Sequence, residues 1–412
     1  MSRWLSGTSP RGLVPTYIAE ALSVRLARIV TPAELGFPPG NVLPKDFGTT
    51  YQDSLDVTAQ TLAQLWSSDL AGDSPQFLLP PHGAAGIAAA LSWLVRGHSA
   101  GAQAATVGRR VGMSDIEAFR ATTSAFASLD NSFGGGRTRH GLIHFLDTEG
   151  SELLKGSYSE SVGRMLHAAV AEATLLAAWT AYDAGDHGIA QRYFIQALRL
   201  AQGAGDVLLA GGVLDAMSHQ ATFLRRHREA VDLARAARAG TSGRATATLN
   251  AHFLVMEARA LACGGDAKGS MSALSEASRQ FERRGGESGP DWIAFFDPAE
   301  LDAEFSHCLQ DLGRYGEAAR YASASLAGAG ASARSDFFVS MVLAAGHAGQ
   351  GNAELAFRTA SGALTAGLSL KSARCLDYLR KFRSLVVPFA GCSAAKEFAE
   401  SFADNEMWIA SA

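Results

Sequence analysis

A frame that recurs five times in the second half constrains the fold of this 412-residue chain more than any other feature. Gly185-Asp186 is followed by Ala190, Phe194 and Ala197, Arg225-Arg226 by Ala230, Ala234 and Ala237, and Gly265-Asp266 by Ser270, Leu274 and Ala277. Gly313-Arg314 precedes Ala318 and Ala322, and Gly351-Asn352 precedes Ala356, Ala360 and Ala363. The small anchor residue thus stands at 190, 230, 270, 318 and 356, at spacings of 40, 40, 48 and 38. Each unit reads as a helix that stops at a turn and a second helix that returns. Small residues four and three apart put one face of the returning helix close against the first. A single hairpin of this kind leaves its apolar face uncovered, so the units are predicted to stack into a solenoid over residues 171–365, with capping helices in Ser372–Phe402.

The first half has the same helical period, and two-residue alternation is hard to find anywhere. Leu55, Ala59, Leu62 and Trp66 fall on one stripe and are expected to be core. Ser114 and Glu117 read as a capping box, after which Ile116, Phe119 and Phe126 share a face. Asp297-Pro298-Ala299-Glu300 has Asp at the N-cap, Pro at the first helical position and Glu at N3, and Thr31-Pro32-Ala33-Glu34 repeats that pattern. Breaks are expected at Gly36–Gly40, Asp73–Gly83, Asn131–Arg139 and Gly285–Pro290. The fold class is therefore all-α.

Composition excludes several function classes. A 47% hydrophobic content is too high for a disordered chain. Net charge is −4, so a chain-wide basic footprint for nucleic acid is absent, although Arg3, Arg11, Arg25 and Arg28 face only Glu20 within residues 1–30. Cys263, Cys308, Cys375 and Cys392 lie far apart and read as reduced core thiols of a cytoplasmic protein. No metal site and no cofactor are expected. No apolar leader follows Met1, and the most apolar helical stretch, Ala168–Ala181, carries Glu172 and is too short to span a bilayer, so no membrane partner is expected.

Two short motifs invite an enzymatic or anion-binding reading. Gly97-His98-Ser99-Ala100-Gly101 fits the nucleophile-elbow pattern, with His82-Gly83 upstream. That elbow needs a strand before the serine in a parallel sheet, whereas Ile87–Arg96 reads as a helix, so the chain is not read as an enzyme. Gly134-Gly135-Gly136-Arg137-Thr138-Arg139-His140 reads as an exposed turn, with contact to an anion or a partner as the other reading.

The repeat frame resembles the tetratricopeptide repeat (TPR), although its spacing exceeds that motif's 34 residues. In such repeats the residue six positions before the turn faces the concave wall, which gives Trp179, His219, Arg259 and His307. Tyr182 and Asp183 of the first unit, and Asp215 and Phe223 of the second, fall on the same wall. Core packing does not select a row of Trp, His, Arg and His, whereas binding surfaces do. Arg259 reads as an exposed groove arginine that contributes little to folding and is placed to take a peptide carboxylate. Glu300 faces this side too, and its place in the cap accounts for it.

Ser2-Arg3-Trp4, Gly7, Pro10 and Ile18-Ala19-x-x-Leu22 resemble the C-terminal part of an XRE-type, phage-repressor-like helix-turn-helix. Trp179–Gly185, Ala190–Leu198 and Phe296–Leu301 extend the likeness to actinomycete regulators that join such a module to TPR-like repeats, the type associated with sporulation and antibiotic production. The resemblance implies four parts: residues 1–36 from a helix-turn-helix, 37–170 a helical spacer, 171–390 the solenoid and 391–412 a capping helix and tail. It implies a transcriptional regulator with Ser2, Arg3 and Arg11 at DNA, and a peptide, small ligand or protein partner in the groove. A homodimer is a further partnership considered, and a TPR-like scaffold without DNA binding is the alternative function. The two helices that precede Ser2 in that family are not in this sequence. A form extended upstream of Met1 is therefore expected to bind duplex DNA with a steep salt dependence, and the 412-residue form far more weakly. Equal, salt-sensitive and site-specific binding by both forms in a gel-shift titration would refute this.

Overall fold

The computed structural model describes residues 43–72, 84–96, 104–285, 289–328 and 332–412, with scattered positions between Ile18 and Gly36. Among the described residues the fold is all-α, with two isolated β-bridges, Ala105–Tyr158 and Arg110–Ser157, in place of a sheet. Ser2, Arg3 and Arg11, the Gly97–Gly101 motif with His82-Gly83, and Thr31-Pro32 lie outside the described residues.

Helices α1 (Leu55–Ala71), α2 (Ala84–Arg96), α3 (Met113–Phe133) and α4 (Gly135–Phe145) come first, and α4 runs through a π-helical turn (Leu146–Gly150) into a short last turn (Ser151–Leu154). Five hairpins follow: α5 (Glu160–Asp183) with α6 (His187–Ala204), α7 (Val207–Phe223) with α8 (His227–Gly240), α9 (Ala247–Cys263) with α10 (Ala267–Glu282), α11 (Pro298–Asp311) with α12 (Tyr315–Ala327), and α13 (Ala333–Gly349) with α14 (Ala353–Ala366). Helices α15 (Ala373–Val386), α16 (Ser393–Ser401) and α17 (Glu406–Ala410) complete the chain. Each leading helix packs on its own returning helix and on the leading helix of the next hairpin, which makes the array a solenoid. The first leading helix starts at Glu160, ahead of residue 171.

The five turns are built alike. Asp186, Arg226, Asp266, Arg314 and Asn352 each donate their backbone N–H to the carbonyl five residues back, at 2.8–2.9 Å. The residue before each takes a left-handed conformation: Gly185, Gly265, Gly313 and Gly351 at φ 72–91°, and Arg225 at φ 60°. This is the Schellman arrangement, which satisfies carbonyls that a helix end leaves open. Soon after it, Ala190, Ala230, Ser270, Ala318 and Ala356 are fully buried, small residues that let the paired helices approach closely. The longer third interval holds a linker with a 3-10 turn (Asp291–Ile293), and its Phe296 packs edge-on against Phe281 and His252.

The first half is not a separate spacer. Helices α1 and α2 lie on the returning helices α6 and α8, where Leu55 meets Gly203 and Trp93 meets Gly240 so closely that an added Cβ would sit 2.3 and 2.0 Å from those side chains. Leu55, Leu62 and Trp66 of the predicted stripe are buried, whereas Ala59 is half-buried. Helix α3 spans from α5 to α13 and so touches both ends of the solenoid. Its start differs from the expected box: Gly112 is the N-cap, and its N–H donates to Asp115 at 2.8 Å, so Asp115 takes the role assigned to Glu117. Asp297, by contrast, caps α11 as read, accepting from the Glu300 N–H at 2.8 Å.

The triple glycine is a packed corner rather than an exposed turn. Gly134 ends α3 at φ 83°, and Gly135 opens α4 directly. A Cβ on Gly135 would lie 2.4 Å from the Thr180 carbonyl oxygen, and one on Gly134 2.8 Å from that of Lys371. The Lys371 N–H donates to the Phe133 carbonyl (2.9 Å), and the Gly136 N–H to the Lys371 carbonyl (3.0 Å). Arg139 is drawn to Asp69 (2.6 Å) and Asp186 (3.3 Å). This corner brings the segment before α15 against the end of α5, so the first and last parts of the solenoid meet.

Turn geometry gives a paired test. Gly313 has φ 72° with open space where a Cβ would point, so Gly313→Ala should lower stability by left-handed strain alone, about 1–2 kcal/mol. Arg225→Gly should relieve the same strain and raise stability by about 1 kcal/mol. Urea unfolding midpoints that move in the same direction for both variants would contradict the assignment.

Candidate functional site

Two cavities, of about 570 and 540 Å³ and open to solvent, lie along the leading helices. His219 of α7, Arg259 of α9, His307 of α11 and Arg374 of α15 line both, so they form a septum between the two. Three of the four are wall positions read from the repeat frame. Arg374 was not, because α15 lies beyond the repeats. It enters by packing its guanidinium over Phe338 (4.5 Å) and Tyr182 (5.0 Å), a cation–π arrangement on two rings.

Septum hydrogen bonds fix the histidine tautomer. Arg259 Nη1 donates to His219 Nε2 (3.3 Å) and to Glu304 (3.2 Å). An arginine only donates, so His219 Nε2 accepts, and its proton sits on Nδ1, which donates to the Tyr182 hydroxyl at 3.0 Å. His307 Nδ1 meets the Tyr378 hydroxyl at 3.3 Å. Burial, followed by the charges of Arg259 and Arg374 among others, holds His219 well below the ordinary histidine range. Burial and then Arg259 do the same to His307. Both imidazoles are therefore neutral at physiological pH.

The other wall positions divide. Trp179 lines the larger cavity, 5.3 Å from the His219 ring and 5.6 Å from the Tyr182 ring. Asp215 lines it as well and pairs with His252 at 3.0 Å. For His252, burial opposes the charged form, but Asp215 outweighs it and holds the group above its ordinary value. Phe223 lines the smaller cavity. Tyr182 is fully buried behind this wall, under the Arg374 guanidinium, and its hydroxyl is hydrogen-bonded to His219. Asp183 does not line either cavity: it faces the closing corner, where it accepts from Ser372 Oγ (2.8 Å) and the Gly135 N–H (2.9 Å). Arg259 is not an exposed groove residue either. Burial disfavours its charge, yet Glu304 together with Tyr378, Cys308 and Asp311 outweighs this and holds the guanidinium above its usual value. Removing Arg259 would strand Glu304 in the interior, at a cost of about 3–5 kcal/mol for a broken buried pair.

The two cavities differ in charge. Arg225, Arg380 and Lys381 join the septum in lining the smaller one, with Asp311 and Asp377 as its acids. The larger holds Asp215, Asp297, Glu300 and Glu304 near one another, with Arg334 paired to Asp130 (2.8 Å) on the far side. Burial, with Glu304 next, raises Glu300 to about 7. The spacing Glu300, Glu304, His307 runs along one face of α11, a signal present in the sequence that the capping pattern masked.

The Glu300 shift predicts a pH-dependent gain. A carboxyl raised in the folded state costs nothing below the ordinary glutamate range, costs more as pH rises from there, and reaches its full cost above about 7. Glu300→Gln should therefore match the parent near pH 4 and be more stable by about 1–3 kcal/mol at pH 8. Coincident denaturant curves at pH 8 would show that this charge is not a burden.

Comparison with known proteins adds a short match. The family model described as SP15 N-terminal domain matches residues 1–38, ahead of the solenoid. No curated protein matches the chain.

Proposed function

We propose that the chain is a ligand-controlled regulator, of the helix-turn-helix and TPR type, whose solenoid takes a ligand in its interior. The observation that carries this reading is the septum. Two arginines and two neutral histidines, from four helices, meet in one layer open to a cavity on each side. Arg259 Nε and Arg374 Nε are buried there without a hydrogen-bond partner. Unmet buried donors cost free energy, and an incoming anion would satisfy them. The ligand is thus a small acid or a short peptide presenting its carboxylate to Arg259 and Arg374, with Trp179 and Phe223 as apolar anchors. The resemblance of residues 1–36 supports DNA as the output. Ligand binding would favour one closure of the solenoid and so bias the N-terminal part. No helix among the described residues is long and apolar enough to cross a membrane.

Random pentapeptides titrated against the full chain by thermal shift test the reading. Binders should depend on a free C-terminal carboxylate, with amidation weakening them at least tenfold. A binder should also change the upstream-extended protein's affinity for duplex DNA, by about 5–150-fold for a typical coupling. Amidated and free peptides binding equally would overturn the septum as an anion site, and unchanged DNA affinity would overturn the regulator.

A further inference from the structure

Glu300 stands at N3 of α11, where the capping-box pattern would turn its carboxylate back to the Asp297 N–H. That N–H donates instead to the Phe295 carbonyl at 3.0 Å. The Glu300 carboxylate lines the larger cavity and has no hydrogen bond or ion pair among the described residues. Glu304, one turn on, lines the same cavity and is engaged by Arg259. Asp215, on α7, is 5% exposed. It holds His252 through Oδ2, while its buried Oδ1 has no hydrogen-bond partner. His252 lines the same cavity, so all three carboxylates surround one volume with it. Trp179 and the exposed ring of Phe295 line that volume too. Among the described residues no cluster of His, Cys, Asp and Glu has the arrangement to hold a metal ion.

We propose that this wall of the larger cavity binds a primary ammonium group carried on an aromatic or apolar stem. An ammonium donates three hydrogen bonds, and the Glu300 carboxylate and the buried Asp215 Oδ1 line this wall as acceptors without a hydrogen-bond partner among the described residues. Its charge is met by the carboxylates that Arg259 and His252 leave in excess. Trp179 and Phe295 provide a ring face for the cation and a surface for the stem. With the anion site at the septum, the interior sorts its ligand by polarity, ammonium on the α11 side and acid at the septum. This deepens the reading of the interior as a ligand chamber and rests on it.

The test titrates the full chain at pH 7.5 with phenethylamine and with its neutral isostere 2-phenylethanol, by calorimetry. The amine should bind, and the alcohol at least tenfold more weakly. Glu300→Gln should weaken the amine at least tenfold and leave acetate, the probe for the septum, unchanged. Because that variant loses a buried charge, a circular-dichroism melt at or above the parent's excludes misfolding as the cause. L-phenylalaninamide separates two sources of the same group: tighter binding than phenethylamine assigns the ammonium to a peptide amino terminus, weaker binding to a free amine, and either supports the site. Alcohol and amine binding alike would overturn it, as would a Glu300→Gln variant that binds the amine like the parent. Acetate binding without the amine sinks this inference alone, whereas the loss of both sinks the ligand chamber itself.

Discussion

Asp183 ends the first leading helix and is 1% exposed, so its carboxylate has left water and must be met entirely by protein. Ser372 and Gly135 each give it a hydrogen bond, and Arg334 and Arg374 stand 3.5 and 3.9 Å away. These four partners come from the cap of α15, the corner between α3 and α4, the fifth hairpin and α15 itself. One side chain therefore ties the start of the solenoid to its end and to the bridging helix. Arg374 enters the septum from α15, which packs on α13 and is pinned to the end of α5 through Ser372 and Asp183.

Much of the repeat architecture was legible because it is local. A left-handed turn residue and a small anchor five positions later are short-range requirements, and all five units meet them. The shift from Ser114 to Gly112 at the start of α3 shows how fine this reading can be: several cap residues stand side by side, and the side chain that turns back to the N-cap decides. The closure was not legible. It joins residues near 134, 183 and 372, which no periodicity links, and the glycines that permit it carry the same letters as a flexible loop.

The site was half legible for a related reason. Wall positions follow from the repeat geometry, so His219, Arg259 and His307 do meet. What the frame leaves open is the pairing that turns a wall position into a buried group. Arg259 was read as free because its partner, Glu304, lies on the next leading helix. Asp183 has a wall position in the frame, but Ser372 and Gly135 hold it at the closing corner. Glu300 was explained by a cap that a backbone carbonyl takes over. In each case a long-range partner decided the role of a residue whose local position was read well.

Closing the array also changes how it can fold. An open solenoid is held by neighbour contacts alone, so its end units can fray, and folding can start anywhere and spread. Here the contact between Asp183 and Ser372 spans most of the repeat region. Bringing such distant points together has a loop entropy that only prior stacking can reduce. Loop entropy thus favours stacking of the hairpins before the Asp183 contact closes, and that contact joins a row of neighbour-held units into one body.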